Sequence, residues 1–144
     1  MDTNVVVKVR RLASHAKLPC YAFDADLCAD LYSLDAHSID AGEIICVPTG
    51  IAIELPPDYG AVVEDRSGLA LRGIITLGGV VDPGYRGEIK LILANIGKEL
   101  FGIDPGDRIA QIRLVHRVHM EFCETETLSE SARGASGYGS TGMR

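Results

Sequence analysis

Residues 78–88, Gly-Gly-Val-Val-Asp-Pro-Gly-Tyr-Arg-Gly-Glu, stand between two runs that read as strands, Ile74-Ile75-Thr76-Leu77 before and Ile89-Lys90-Leu91-Ile92-Leu93-Ala94-Asn95 after. Apolar, β-branched residues flanking four glycines and a proline give the pattern of a hairpin with an elaborate tip. Glycine serves where backbone must approach a ligand closely or take a positive φ. The same tip carries a carboxylate (Asp82), an aromatic ring (Tyr85) and a guanidinium (Arg86), none of which a bare turn requires. Alone, such a segment reads first as an ordinary hairpin closed by an Asp-Pro-Gly turn. Its company along the chain argues for more.

A chain of 144 residues, 47% hydrophobic and 24% charged, suits one globular domain able to bury its own core. The formal charge of −6 disfavours a surface made for a nucleic-acid backbone, while leaving room for a local basic pocket that takes a small anion. The opening residues lack the basic-then-apolar order of a signal peptide and no apolar run is long enough to span a bilayer, so a cytoplasmic protein without membrane or nucleic-acid partners is expected. Cys20, Cys28, Cys46 and Cys123 form no Cys-x-x-Cys pair, which points to buried or half-buried thiols rather than a zinc knuckle or a disulfide framework.

Along the chain, Val5–Arg10 reads as a strand. So does 22–33, where alternation would line up Asp24, Asp26 and Asp30 on one face, as a solvated edge or as an anionic patch for a hydrated divalent cation. Two strands follow, 43–48 and 51–55, separated by Thr49-Gly50; the Pro56–Gly60 cluster then turns the chain into a strand at 61–64. Residues 65–73 form the one predicted helix, ended by Gly73. Ser67 can cap it, and free N–H groups beside Arg66 would suit an anion, although a plain capped helix fits equally. Past turns at 95–99 and 105–107, strand 108–115 is predicted to carry Ile109, Gln111 and Arg113 on one face and Arg108, Ala110 and Ile112 on the other. His116 and His119, three apart in a strand, point to opposite faces and make a poor metal pair.

Residues 129–144 have no apolar period and cannot bury themselves. Yet Arg133, Tyr138 among glycines, and Ser140-Thr141 combine a cation, a stacking ring, hydroxyl donors and flexible backbone, the parts of a lid over a base and its phosphates. Extended, sixteen residues span on the order of 50 Å, so the lid need not close on its own subunit.

Five segments in order resemble the signature motifs of the trimeric dUTPase family, the deoxyuridine 5′-triphosphate nucleotidohydrolases: Ala29-Asp30-Leu31-Tyr32-Ser33; Arg66-Ser67-Gly68-Leu69-Ala70; Gly79-Val80-Val81-Asp82 with Tyr85-Arg86-Gly87; Gly106-Asp107-Arg108-Ile109-Ala110-Gln111; and Arg133-Gly134 with Tyr138-Gly139-Ser140-Thr141-Gly142. The resemblance covers nearly the whole chain. It implies an all-β, jelly-roll-like barrel or sandwich (1–128) with one short helix and a flexible lid (129–144), assembled as a homotrimer with sites shared between subunits. It further implies hydrolysis of dUTP to dUMP and pyrophosphate by water attacking the α-phosphorus, with Mg2+ on the triphosphate. By that likeness Asp82 activates the water and Tyr85 packs against the deoxyribose. Backbone at Gly79, Val80 and Val81 and near Lys90 would read uracil. Arg66, Ser67, Gly68 and Gln111 would hold phosphates, Asp30 would support the metal through water, and Arg133, Tyr138, Gly139, Ser140 and Thr141 would close over the nucleotide.

The chain departs from the family pattern in three places, one of them Tyr138 where phenylalanine is commoner and where stacking is expected to be as good. Asp65 puts a carboxylate where a proline or small residue is usual, and is expected to turn from the phosphates or pair with an arginine. Leu27-Cys28-Ala29 replaces the commoner Ala-Gly-Tyr before Asp30. Two other readings are a dCTP deaminase of the same fold, for which Glu88 is the hairpin's acidic candidate, and a non-catalytic nucleotide sensor.

Overall fold

A computed structural model describes residues 4–143. Met1 to Thr3, part of the opening that argues against a signal peptide, and Arg144 at the end of the tail lie outside the described residues. Two four-stranded antiparallel sheets form a jelly-roll-like sandwich. One has the order β1 (Lys8–Arg11), β4 (Ile44–Glu54), β8 (Glu88–Asn95), β6 (Ile74–Leu77); the other runs β2 (Ala29–Tyr32), β10 (Arg108–His116), β5 (Tyr59–Glu64), β7 (Val80–Val81). A separate pair joins β3 (His37–Ile39) to β9 (Phe101–Ile103). The sheets do not close on one another, so the open sandwich rather than the barrel of the sequence-based alternatives is what forms.

Alternation builds the core as expected of strands buried on one face. In β8, Ile89, Leu91 and Leu93 point inward while Lys90 and Ile92 are exposed. Leu31, Val47, Ile53, Ala61, Val63 and Ile109 meet them from other strands of the two sheets. Asn95 ends β8 fully buried: its side-chain amide donates to the carbonyls of Ile39 (2.9 Å) and Glu99 (2.8 Å) and accepts from the Gly97 N–H (3.0 Å). Asn95→Ala orphans all three backbone groups and is expected to cost about 2–4 kcal/mol. Urea denaturation measures it, and a loss below about 1 kcal/mol would show that water replaces the amide.

Several sequence expectations need correction. The two strands drawn at 43–48 and 51–55 are one eleven-residue strand, β4, whose pairing to β8 steps from Pro48↔Lys90 to Ala52↔Glu88. Thr49 and Gly50 form a bulge there rather than a break, held by Thr49 Oγ1 donating to the Ile89 carbonyl (2.5 Å) and by the Gly50 N–H on Glu88 Oε1 (2.9 Å). The first strand starts later than predicted, at Lys8. The strand drawn at 22–33 is confined to Ala29–Tyr32, because Phe23 and Asp26 close a local turn in which the Phe23 N–H donates to Asp26 Oδ2 (3.0 Å). The three carboxylates therefore do not line one face, and among the described residues no group of three His, Cys, Asp or Glu side chains is placed to hold a metal.

The helix α1 (Ser67–Ala70) is as short as expected, but its N-cap is Arg66 and no side chain caps it, so Ser67 does not serve as the cap. In β10 the predicted faces fail, because the pairing to β2 slips between Arg108↔Tyr32 and Ala110↔Leu31, and Ile109 and Ala110 are both buried. Of the cysteines only Cys28 is half-buried; Cys20, Cys46 and Cys123 are exposed, so the expectation of buried thiols holds at one position.

Candidate functional site

The hairpin at the centre of the sequence is real, and its tip does more than turn. Strands β6 and β8 pair as far as Leu77↔Ile92. The chain then leaves this sheet, and Val80–Val81 cross to pair with Val62 and Ala61 in the other. The crossing opens a slot of about 190 Å³ between the sheets, lined among others by Gly79, Val80, Asp82, Tyr85 and Lys90. Gly79 is demanded by the close approach: a Cβ there would overlap the Val63 carbonyl, while the Gly79 carbonyl accepts from the Val63 N–H (2.8 Å). Beyond Leu77 no strand among the described residues covers the edge of β8 that faced β6. The Glu88 carbonyl meets the Tyr85 hydroxyl on this side (2.9 Å), and the two-residue period puts the backbone polar groups of Lys90 on the same edge. Asp82 is exposed at the tip. Its carbonyl accepts from the Tyr85 N–H (3.1 Å), and its carboxylate has no partner among the described residues.

A second, wider cleft of about 630 Å³ lies over α1 and the start of β10, and gathers Asp30, Arg66, Ser67, Gly68 and Gln111. Asp30 is buried, with Oδ1 at 3.2 Å from Arg66 Nε and Oδ2 at 3.5 Å from Arg108 Nη1. Arg66 also donates to the Arg108 carbonyl (3.0 Å), so its guanidinium is fixed in direction. Gln111 donates to the Asp65 carbonyl at 2.6 Å. The amides of Ser67 and Gly68 precede the first intrahelical donor, Leu69, and stay free for an acceptor from outside. A Cβ on Gly68 would meet nothing within 4 Å, so no neighbour in this chain requires glycine there.

Asp65 turns away from this cleft, as one of the two expected outcomes had it. Its partner is a threonine rather than an arginine: Oδ1 accepts from the Thr76 N–H (2.5 Å) and hydroxyl (2.7 Å). Thr76 lines the hairpin slot, so the aspartate forms part of the wall between slot and cleft. Glu88 is likewise committed, its carboxylate bound by the Gly50 N–H.

The predicted residues thus fall into three groups. Gly79, Val80, Val81, Asp82, Tyr85 and Lys90 line the slot; Asp30, Arg66, Ser67, Gly68 and Gln111 line the cleft; Arg133, Tyr138, Gly139, Ser140 and Thr141 stay exposed in the tail, whose hydrogen bonds are to itself. Sequence reading notes Arg108 with Gln111 beside the 105–107 turn but does not pair it with Asp30, the partner it has after the slip in β10; it missed Thr76, which has no signal outside its strand. It also missed Cys28 as a lining residue of the cleft. Burial pushes the Cys28 thiol above its ordinary pKa, and the Glu64 carboxylate adds to the effect. Less thiolate at neutral pH means slower alkylation. Iodoacetamide labelling followed by peptide mass spectrometry is expected to modify Cys28 last of the four; equal rates would contradict this microenvironment.

A magnesium ion fits this cleft only as one that arrives with its ligand. Both Asp30 oxygens face arginines, and magnesium characteristically takes phosphate oxygens and waters with one or two carboxylates. Asp26 and Glu64 line the same cleft beside Asp30, so it holds carboxylates that could bind such an ion's water shell.

A family model described as dUTPase matches residues 14–142. The deoxyuridine 5′-triphosphate nucleotidohydrolase of Rickettsia bellii is 46% identical over 143 residues, covering 95% of each chain. That of Alkaliphilus metalliredigens is 41% identical over 141 residues, covering 96% of this chain and 98% of the relative. Among solved structures, the Staphylococcus bacteriophage 80alpha dUTPase with dUPNHPP superimposes with a TM-score of 0.90 at 23% identity, covering 96% of this chain and 99% of the other.

Proposed function

The chain belongs to the dUTPase family, and we propose that it hydrolyses dUTP to dUMP and pyrophosphate, with Asp82 as the base that prepares water for attack on the α-phosphorus. The observation that carries this reading is a carboxylate, unpartnered among the described residues, at the rim of a slot that combines the uncovered backbone edge of β8 at Lys90 with one aromatic ring. A base edge is recognised by donors and acceptors in fixed places, and the uncovered edge of β8 at Lys90 together with residues 79–81 supplies them. Thymine's methyl is refused by the tightness of the hairpin. Tyr85 lies where the sugar follows the base.

Phosphoryl transfer needs positioning and charge neutralisation more than a covalent nucleophile. Arg66, oriented by Asp30 and by the Arg108 carbonyl, with the Ser67 and Gly68 amides and Gln111, forms the phosphate cradle. Magnesium, when bound, neutralises the triphosphate and eases departure of pyrophosphate. The water oxygen bonds to phosphorus, its proton passes to the Asp82 carboxylate and then to solvent, and the α–β bridging oxygen leaves with pyrophosphate. The tail, through Arg133, Tyr138, Gly139, Ser140 and Thr141, closes over base and phosphates. The assembly is a homotrimer in which neighbouring subunits share each site, a reading supported by the family and by the reach of the tail. The setting is the cytoplasm.

The deaminase reading loses its acid–base candidate, because the Glu88 carboxylate is held in the β4 bulge by Gly50. Incubation with dUTP, dCTP or dTTP plus magnesium, following pyrophosphate and ammonia, tests the proposal. Pyrophosphate from dUTP alone is expected. Ammonia from dCTP would establish the deaminase, and neither product the sensor.

A further inference from the structure

Tyr85 is seated from two directions. Its hydroxyl donates to the Glu88 carbonyl at 2.9 Å, and its ring lies against Gly87. A Cβ on Gly87 would stand 2.6 Å from Cζ and 3.0 Å from Cε2, and closer still to the hydroxyl oxygen. The backbone at Gly87 is not in the left-handed region, so what glycine supplies here is room for the ring, not conformational freedom. Gly84, three residues earlier on the same tip, meets nothing within 4 Å. Behind the ring, Glu88 is anchored by its carboxylate to the Gly50 N–H, and the next carbonyl, that of Ile89, accepts from Thr49. The seat of the ring is therefore tied to the bulge of β4.

We propose that Gly87 and the backbone of Glu88 are positioning residues that fix the Tyr85 ring and so govern how strictly it refuses a 2′-hydroxyl; the proposal rests on the family reading that Tyr85 packs against the deoxyribose and rejects ribonucleotides. A pocket wall rejects an added hydroxyl weakly when it can yield, since the substrate gains room at small cost. A ring pinned at its hydroxyl and flush against a residue without a side chain cannot slide toward the backbone or tilt away without losing a hydrogen bond. Selectivity thus resides in the seat as much as in the ring.

The test compares kcat/KM for dUTP and UTP in the full chain and in Gly87→Ala, Tyr85→Phe, Tyr85→Ala and Gly84→Ala, with a melting temperature for each. Gly87→Ala displaces only the far end of a half-exposed side chain, so the fold is expected to survive while the dUTP:UTP ratio falls about tenfold or more. Tyr85→Phe, which loses the anchor and keeps the seat, is expected to lower the ratio by a smaller factor, and Gly84→Ala to preserve it. An unchanged ratio in Gly87→Ala with a collapsed ratio in Tyr85→Ala would overturn the proposal and leave the sugar-packing role of Tyr85 standing. An unchanged ratio in Tyr85→Ala would overturn both. Should Gly87→Ala fail to fold, Tyr85→Phe decides: a fall in the ratio supports a ring fixed through the Glu88 carbonyl, and an unchanged ratio refutes the proposal.

Discussion

Asp82→Asn is expected to lower kcat for dUTP by on the order of 10²–10⁴-fold while leaving nucleotide affinity nearly unchanged. The amide occupies the same space as the carboxylate, and no hydrogen bond or ion pair within the described residues depends on the charge, so neither hairpin nor slot has cause to rearrange. What is lost is the ability to accept a proton from the attacking water. An interaction made only in the transition state appears in kcat and kcat/KM equally, and direct titration with a non-hydrolysable analogue separates this from a binding defect. A variant that turned over dUTP at the parental rate would remove Asp82 from the chemistry. One that lost affinity in proportion to rate would make it a binding residue instead.

Deleting residues 129–144 is expected to reduce kcat/KM by on the order of 10²-fold or more, with a melting temperature within a few degrees of the intact chain. Among the described residues of this stretch the hydrogen bonds are local, for example Arg133 Nε to the Ser136 carbonyl (2.9 Å), and Tyr138 is fully exposed with φ at +50°. Nothing in the core therefore leaves with the tail. A ring with no apolar contact of its own gains one by closing over a base, and the adjacent hydroxyls and Arg133 gain a phosphate partner. A large fall in melting temperature would show instead that the tail is structural. Full activity without it would show that the slot and cleft suffice.

Much of this was readable before any coordinates. The strand–glycine–strand pattern around Asp82 fixes a hairpin because each flanking run can bury only one face, and the tail announces itself by having no face to bury. What escaped were places where extra residues enter a strand, two in β4 and one in β10. The bulge at Thr49-Gly50 looked like a break because glycine is read as punctuation, whereas the Glu88 carboxylate and the Thr49 hydroxyl keep β4 continuous across it. The slip in β10 buries Ile109 and Ala110 together and brings Arg108 round to Asp30, which strict alternation forbids. Spacing alone puts Asp24 and Asp26 in a strand, yet a four-residue hydrogen-bonded turn, Phe23 to Asp26, competes successfully for that segment. The candidate residues within the domain nevertheless all line one cavity or the other, because motif order survives such slips. Their partition into two cavities was not legible, because it depends on where the chain changes sheets, and a two-residue crossing such as Val80–Val81 carries no periodicity of its own.

The central claim is that one nucleotide is held between hairpin slot and arginine cleft, with Asp82 facing the innermost phosphorus. A crystal structure of the protein with magnesium and an α,β-imido analogue of dUTP tests it most directly. The account predicts the uracil in the slot, the phosphates on Arg66 and Gln111, and an ordered water about 3 Å from the Asp82 carboxylate, in line with the bond that would break. An analogue bound with that carboxylate remote from the α-phosphorus and no water between them would contradict it.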